Sequence, residues 1–425
     1  MDSRILMHQN TAVAEIQTDP ECGIIGLTRV YRQDLLPVGT DVGLSSHEIA
    51  MELNGWDRKR QIPLGRQNYQ TIEKLLGKSV SSALSETLRV SLTDCYWFKN
   101  ARSNLFWKDV NFHDNGFLND FAKAELMVDG KKDDGNFVLN IFDESRKMSI
   151  DEWSKVSFNA KYTETGKNNL RQHMVNFPDL TTGGRMEKGW FNIDSRPFMV
   201  KSGNWGRISE YCEGKHILCA NEVAAYKVAK LMGIDCVPYM KAELNGVRLC
   251  ASPCFIQDAD TEFISGWQIM RQNLLDAKGV YKWLSEHGLR KETDLMLLFV
   301  HIIHDTDKHL NNFGILRDAK DTSSIRFAPL FDNGLSFASD RETTIKPFGG
   351  TRRDQLGMVA TIPLDVPSYS EIEEILTSVY EEYEIPEEVL SNVLNDMTYS
   401  YRMLEDVKKE KSYVFERIDE EERNL

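Results

Sequence analysis

Asp307, Asn312 and Asp332 are of types and spacings that suit the handling of a phosphoryl group. The first two lie five apart in HIIHDTDKHLNNFGIL, and the third follows in RFAPLFDNGLSF, sixteen residues after Leu316. An apolar run ends at Ile303 and delivers a loop with two carboxylates, two amides and three imidazoles within nine residues. Phe313, Ile315 and Leu316 then restart a strand, and a second strand is predicted to end in Asp332. Two oxygen donors on neighbouring loop ends suit Mg²⁺, a hard cation held by one or two protein groups plus phosphates. An Asp five residues before the first donor can hold or deprotonate a hydroxyl. An Asp base, an Asn ligand and a later Asp ligand are the parts of a phosphotransfer loop. The bland reading is a polar turn with an Asx cap, because Asp and Asn are common loop residues.

Residues upstream argue against the bland reading. Phosphoryl transfer also needs a cation on the α/β-phosphates, a carboxylate to brace that cation, and small residues over the triphosphate. Lys201 closes the apolar strand RPFMVK, and Glu222 lies twenty-one residues later inside a helix expected from His216 to Met232 and closed by Gly233. Gly183, Gly184 and Lys188 form a turn before that strand, in TTGGRMEKGWF. The turn matches neither G-x-G-x-x-G nor a Walker A loop.

Two other classes compete. His304-Asp305, with His301 and His309 near, makes an HD-type metal phosphohydrolase a rival, but it leaves Lys201, Glu222 and Asn312 without a role. A nucleotide-binding pseudokinase or interaction module is the other, weakened by the retention of Asp307, Asn312, Asp332 and Lys201.

These residues need elements to hold them. Alternation over the first forty residues predicts short antiparallel strands turning at Asp19-Pro20, and 45–88 reads as helical. The aromatic segments SLTDCYWFKN and FWKDVNF read as core, and strand-like pieces follow at Phe137–Ile141 and Val175–Phe177. After the loop SGNWGRISEYCEGK and the Glu222 helix, strands are expected around Cys236–Tyr239 and Val247–Ala251, with FIQDADTEF crossing into a helical half. There Lys291–Ile303 should place Leu295, Leu298, Phe299 and Ile302 on one face. A capping box at Ser370 and Glu373 and a Pro at 386 open the last helices.

Composition bounds the rest. The 425 residues carry 51 Lys+Arg and 65 Asp+Glu, a net charge of −14, which excludes a general polyanion binder but not a local phosphate site. Seven irregularly spaced cysteines predict reduced, mostly buried thiols. No stretch is long and apolar enough for a signal peptide or a membrane span, so a cytoplasmic protein is expected.

In DTDKHLNNFG, FAPLFDNG, TTGGRMEKGWF, and MVK with NEVAAYKVAKLMGI, the chain resembles the HipA-like kinases, the group of bacterial HipA toxins and CtkA-type Ser/Thr kinases. The resemblance covers about 181–350. It implies an α+β, bilobal, protein-kinase-like fold with a β-rich amino-terminal lobe, a mostly helical carboxy-terminal lobe and an additional amino-terminal α/β region. The corresponding segments are 1–180, 181–260 (nucleotide-binding lobe) and 261–425 (helical lobe). It further implies ATP and Mg²⁺, with Asp307 as base, Asn312 and Asp332 as metal ligands and Lys201 as the phosphate-binding lysine. Glu222 would brace that lysine, Thr182, Gly183, Gly184 and Lys188 would cover the nucleotide, and His309 would steady the loop beside it. The metal loop reads Asp332-Asn333-Gly334, without the Phe of the usual protein-kinase triplet. Within this group a protein Ser/Thr acceptor, an antitoxin partner and autophosphorylation at Thr181 or Thr182 are expectations. Neither a membrane nor direct nucleic-acid contact is expected.

Overall fold

The computed structural model describes residues 2–41, 45–66, 69–115, 137–139, 181–186, 188–193, 196–201, 217–244, 247–337, 347–359 and 366–423. The strand expected at Val175–Phe177 and the loop SGNWGRISEYCEGK lie outside them.

The alternating start of the chain forms β1 (Asp2–His8), β2 (Thr11–Asp19) and β3 (Gly23–Val30), all antiparallel. The aromatic segment supplies β4 (Tyr96–Asn100), giving the order β3-β2-β1-β4. Helix α1 (Ser46–Lys59) begins in a capping box between Ser45 and Glu48 and buries Ile49, Leu53 and Trp56 against this sheet. Helices α2 (Tyr69–Leu76), α3 (Val80–Glu86) and α4 (Trp107–Val110) complete the region. Tyr96, Trp97 and Trp107 are buried, so the aromatics serve the core as expected.

The second sheet orders β5 (Phe137–Leu139), β6 (Lys188–Ile193), β7 (Arg196–Lys201), β8 (Met240–Leu244) and β9 (Val247–Pro253) as β5-β8-β9-β7-β6. Helix α5 (Ile217–Leu231) packs on it through Ala220, Ala224, Ala225 and Ala229, small side chains that let the helix axis approach. Gly233, at φ 66°, closes that helix, and Ile234 N–H reaches back to Ala229 O at 2.9 Å.

A third, smaller sheet of β10 (Thr261–Ser265), β11 (Gly314–Asp318) and β12 (Ile325–Phe327) introduces the helical lobe. Gly314 opposes Ser265, and a Cβ there would sit 2.1 Å from Ile264 O, so only glycine lets the strands meet. The lobe itself comprises α6 (Gly266–Gln272), α7 (Ala277–Glu286), α8 (Arg290–Ile302), α9 (Arg352–Val359), α10 (Tyr369–Glu382) and α11 (Glu387–Arg423). One hydrophobic core runs from α5 through α8 to α10 and α11. A second joins Met7, Trp97 and Trp107 to Trp190, Ile256 and Leu316. Glu262 ties the same seam, taking His8 at 2.9 Å and Arg317 at 2.6 Å. Burial alone would raise the Glu262 carboxyl, but hydrogen bonds from His8 and Arg317 hold it at about 2.

The α+β, two-lobed class expected from the sequence is the one observed, with local corrections. FIQDADTEF does not cross directly into helix: 261–265 is a strand because β11 supplies its hydrogen bonds. Cys236–Tyr239 makes only an isolated bridge, Cys236 to Leu330, and the strand starts at Met240. The strand before Asp332 ends at Phe327, five residues short of it. In α8 Leu298, Phe299 and Ile302 are buried but so are Met296, Leu297 and Val300, so the helix is enclosed rather than one-faced. The capping box of α10 uses Ser368 and Glu371, two residues earlier than expected. Five of the six described cysteines are buried and none is disulfide-bonded. Among the described residues no helix is long and apolar enough to cross a membrane.

Candidate active site

Lys201 is the last residue of β7, where Val200 before it is core, and its ammonium points across the lobes. Its Nζ donates to Glu222 Oε1 at 2.6 Å, to Asp332 Oδ1 at 2.7 Å and to Tyr239 Oη at 3.2 Å. Helix α5 therefore supplies the brace through Glu222. Its other oxygen accepts Asn333 N–H at 2.9 Å. The adjacent Asn221 donates to Gly334 O at 3.0 Å and Ser336 O at 2.8 Å, and accepts Tyr380 Oη–H at 2.8 Å. Consecutive residues of one helix thus fix both the lysine and the loop carrying Asp332. Asp332 adopts a left-handed backbone, φ 58°, which Asp tolerates better than most residues.

Helix α8 stops at Ile302, and His304 (φ 47°) turns the chain into the loop. The loop is braced from within. Asp307 N–H donates to Asp305 Oδ1 at 3.0 Å, while Asp307 O accepts His309 N–H at 2.7 Å and the Asn312 amide at 2.9 Å. His309 Nδ1 accepts Asn311 N–H at 3.2 Å, which ties that ring to the loop backbone. Sequence reasoning passed over Lys308. It is fully buried and donates to Phe331 O and Asn333 Oδ1, both at 2.7 Å, with Asp332 O at 3.4 Å and the Asp305 carboxylate at 3.3 Å. Lys308 welds the Asp307 loop to the Asp332 loop. The only sequence signal was its position beside Asp307.

The small-residue turn stands over the start of β6. Lys188 faces Lys201 in the β6–β7 register, and Gly184 lies against Lys188 Nζ at φ +90°, a backbone conformation that strains any residue with a side chain. Trp190 Nε1–H donates to Thr182 Oγ at 2.7 Å. Arg66, from the amino-terminal region, reaches the carbonyls of the same turn, a contact that local pattern could not reveal.

The charges are uneven. Burial opposes the Lys201 charge, yet Asp332 and Glu222 raise its pKa well above the usual lysine range. Burial would likewise raise Asp332, but Lys201 and Lys188 hold its carboxyl well below the usual carboxylate range. Asp332 keeps 38% of its side chain accessible although Lys201 holds its Oδ1. Burial, with Lys201 adding to it, pulls Lys188 down to about 7. The donor types fit Mg²⁺ with a polyphosphate: an ionised accessible carboxylate, an amide oxygen on the loop that Lys308 ties to it, and ammonium groups beside a turn at a glycine of positive φ. Among the described residues no group of three or more His, Cys, Asp or Glu side chains is placed to hold a metal. His301 is buried in the helical core, where burial, then Arg352, keeps it well below the usual histidine range.

No family model and no curated protein matches the chain. Solved structures similar to it include two kinase-named or toxin-named proteins. One is the Helicobacter pylori proinflammatory kinase CtkA, 13% identical with a TM-score of 0.40, the match covering 53% of this chain and 94% of that one. The other is HipA of Shewanella oneidensis MR-1, solved in a toxin–antitoxin complex with HipB and operator DNA. It is 11% identical with a TM-score of 0.49, the match covering 96% of this chain and 99% of that one.

Proposed function

We propose that the chain is an ATP- and Mg²⁺-dependent kinase that transfers the γ-phosphate to a hydroxyl, a Ser or Thr side chain of a protein. The observation that carries this reading is Lys201, held at 2.6 and 2.7 Å between Glu222 and Asp332, 131 positions downstream of it. A buried lysine shared by two carboxylates has no stability rationale that apolar packing would not serve better. A phosphate-neutralising lysine beside a metal carboxylate does need that arrangement.

Bound Mg²⁺ would neutralise phosphate oxygens and favour in-line transfer. Asp332 and the Asn312 amide oxygen would hold it, the Asn312 nitrogen being committed to Asp307 O. Lys201 neutralises the α/β-phosphates, and the Thr182–Gly184 turn and Lys188 cover the outer phosphates. Asp307 orients the acceptor hydroxyl and takes its proton on a carboxylate oxygen. His309 keeps the loop backbone in shape.

Asp332→Ala should abolish the Mg²⁺-dependent part of ATP affinity, read by titrating a non-hydrolysable ATP analogue with and without the metal. Equal metal dependence in wild type and variant would remove Asp332 from the metal site. Wild type that binds but never transfers phosphate would favour the pseudokinase.

Lys188 gives the reading a pH signature. Its pKa near 7 in the free protein means that it loses its charge as pH rises above neutrality. A phosphate would raise that pKa, so binding takes up a proton above pH 7. ATP affinity should therefore fall with rising pH, by at most about tenfold per unit for one coupled proton. Lys188→Met should flatten the slope; an unchanged slope would show that another group titrates.

A further inference from the structure

The turn that covers the phosphates is held from a distant part of the chain. Arg66 follows α1 in the amino-terminal region and is 3% exposed. Its Nη2–H reaches Thr182 O, and it donates to Gly183 O at 2.8 Å; its Nε–H donates to Gly184 O at 3.1 Å. One planar guanidinium thus gathers three successive carbonyls, a geometry that its rigid fork can satisfy and an ammonium cannot. Carbonyls drawn toward Arg66 cannot also face a triphosphate, and because N–H lies opposite C=O in a trans peptide, the amides that follow these three carbonyls are turned away from Arg66. Trp190 pins the Thr182 hydroxyl, and Gly184 rests on Lys188, so the turn is fixed on three sides. Arg66 also repels the Lys188 charge, which adds a third cation beside Lys188 and Lys201.

We infer that Arg66 is a positioning residue for nucleotide binding, through which the amino-terminal region sets the shape of the phosphate-covering turn. This rests on the kinase reading and deepens it. Such a residue acts on the part of the affinity contributed by the outer phosphates and leaves the nucleoside end alone.

The test compares Mg²⁺·ATP-analogue and AMP binding by calorimetry in wild type, Arg66→Lys and Arg66→Gln, with melting temperatures in parallel. Expected is a loss of at least tenfold in affinity for the ATP analogue in both variants, with AMP affinity unchanged and only a modest fall in melting temperature from the weakened buried hydrogen bonds. Wild-type affinity in Arg66→Lys would overturn the inference, because charge alone would then suffice. An equal loss for AMP, or a large fall in melting temperature, would overturn it too, since Arg66 would be holding the whole lobe. Wild type that binds no ATP sinks the kinase reading itself, a separable result.

Discussion

Asp307→Ala should lower phosphoryl transfer by about 10²–10⁴-fold, the usual contribution of a positioned general base, while ATP affinity stays within about twofold. The binding part of this expectation comes from the loop's construction. Three of the loop's internal ties at this position run through main-chain atoms: the Asp307 carbonyl takes His309 N–H and the Asn312 amide, and the Asp307 N–H finds Asp305. An alanine keeps all three, so Asn312 stays oriented and the metal site stays intact. Phosphoproteomics after brief expression of wild type and Asp307→Ala would identify the acceptor and read the effect together. If the variant labels the same proteins as strongly as wild type, Asp307 is not the base.

Lys308→Met should cost both folding and activity. The ammonium is fully buried against a fully buried Asp305 at 3.3 Å, and it satisfies Phe331 O and Asn333 Oδ1. Removing one partner of such a pair strands the other, which destabilises by about 3–5 kcal/mol. The same change unlinks the loop of Asp307 from that of Asp332, so the proposed base and the proposed metal ligand lose their common frame. Adding Asp305→Asn should recover part of the lost stability, because the stranded charge goes, but not the activity, because the tie is still missing. Thermal melting and transfer assays on the three variants would separate the effects. A Lys308→Met protein that melts with wild type would show that the pair is not structural.

The sequence carried the chemistry better than it carried the couplings. Asp307, Asn312 and Asp332 could be singled out as candidates because the proposed phosphoryl transfer would restrict residue type and spacing within one short stretch. Lys201 and Glu222 were legible because a strand end and an alanine-rich helix closed by Gly233 locate them. Lys308 was not, since a lysine among polar neighbours reads as solvated, and only three-dimensional closure buries it. Arg66 was hidden for another reason: it meets Thr182 from 116 residues away, and no periodicity encodes such a contact. Strand 261–265 was missed because a five-residue edge takes its identity from β11, and the α10 cap was misplaced because SYSEIEE contains the Ser-x-x-Glu pattern twice.

The position of Lys201 has a consequence for which molecules can enter. In the free protein its ammonium already occupies Asp332, so on the proposed reading the vacancy for a metal opens only when the lysine is drawn elsewhere. A lone divalent ion would have to evict a cation from a carboxylate, and a bare polyphosphate would leave Asp332 facing another negative group. Metal and nucleotide arriving together trade one ion pair for two, so neither partner is left alone. On that reading the site would be an exchange that favours a matched pair, each half of the incoming complex raising the affinity for the other.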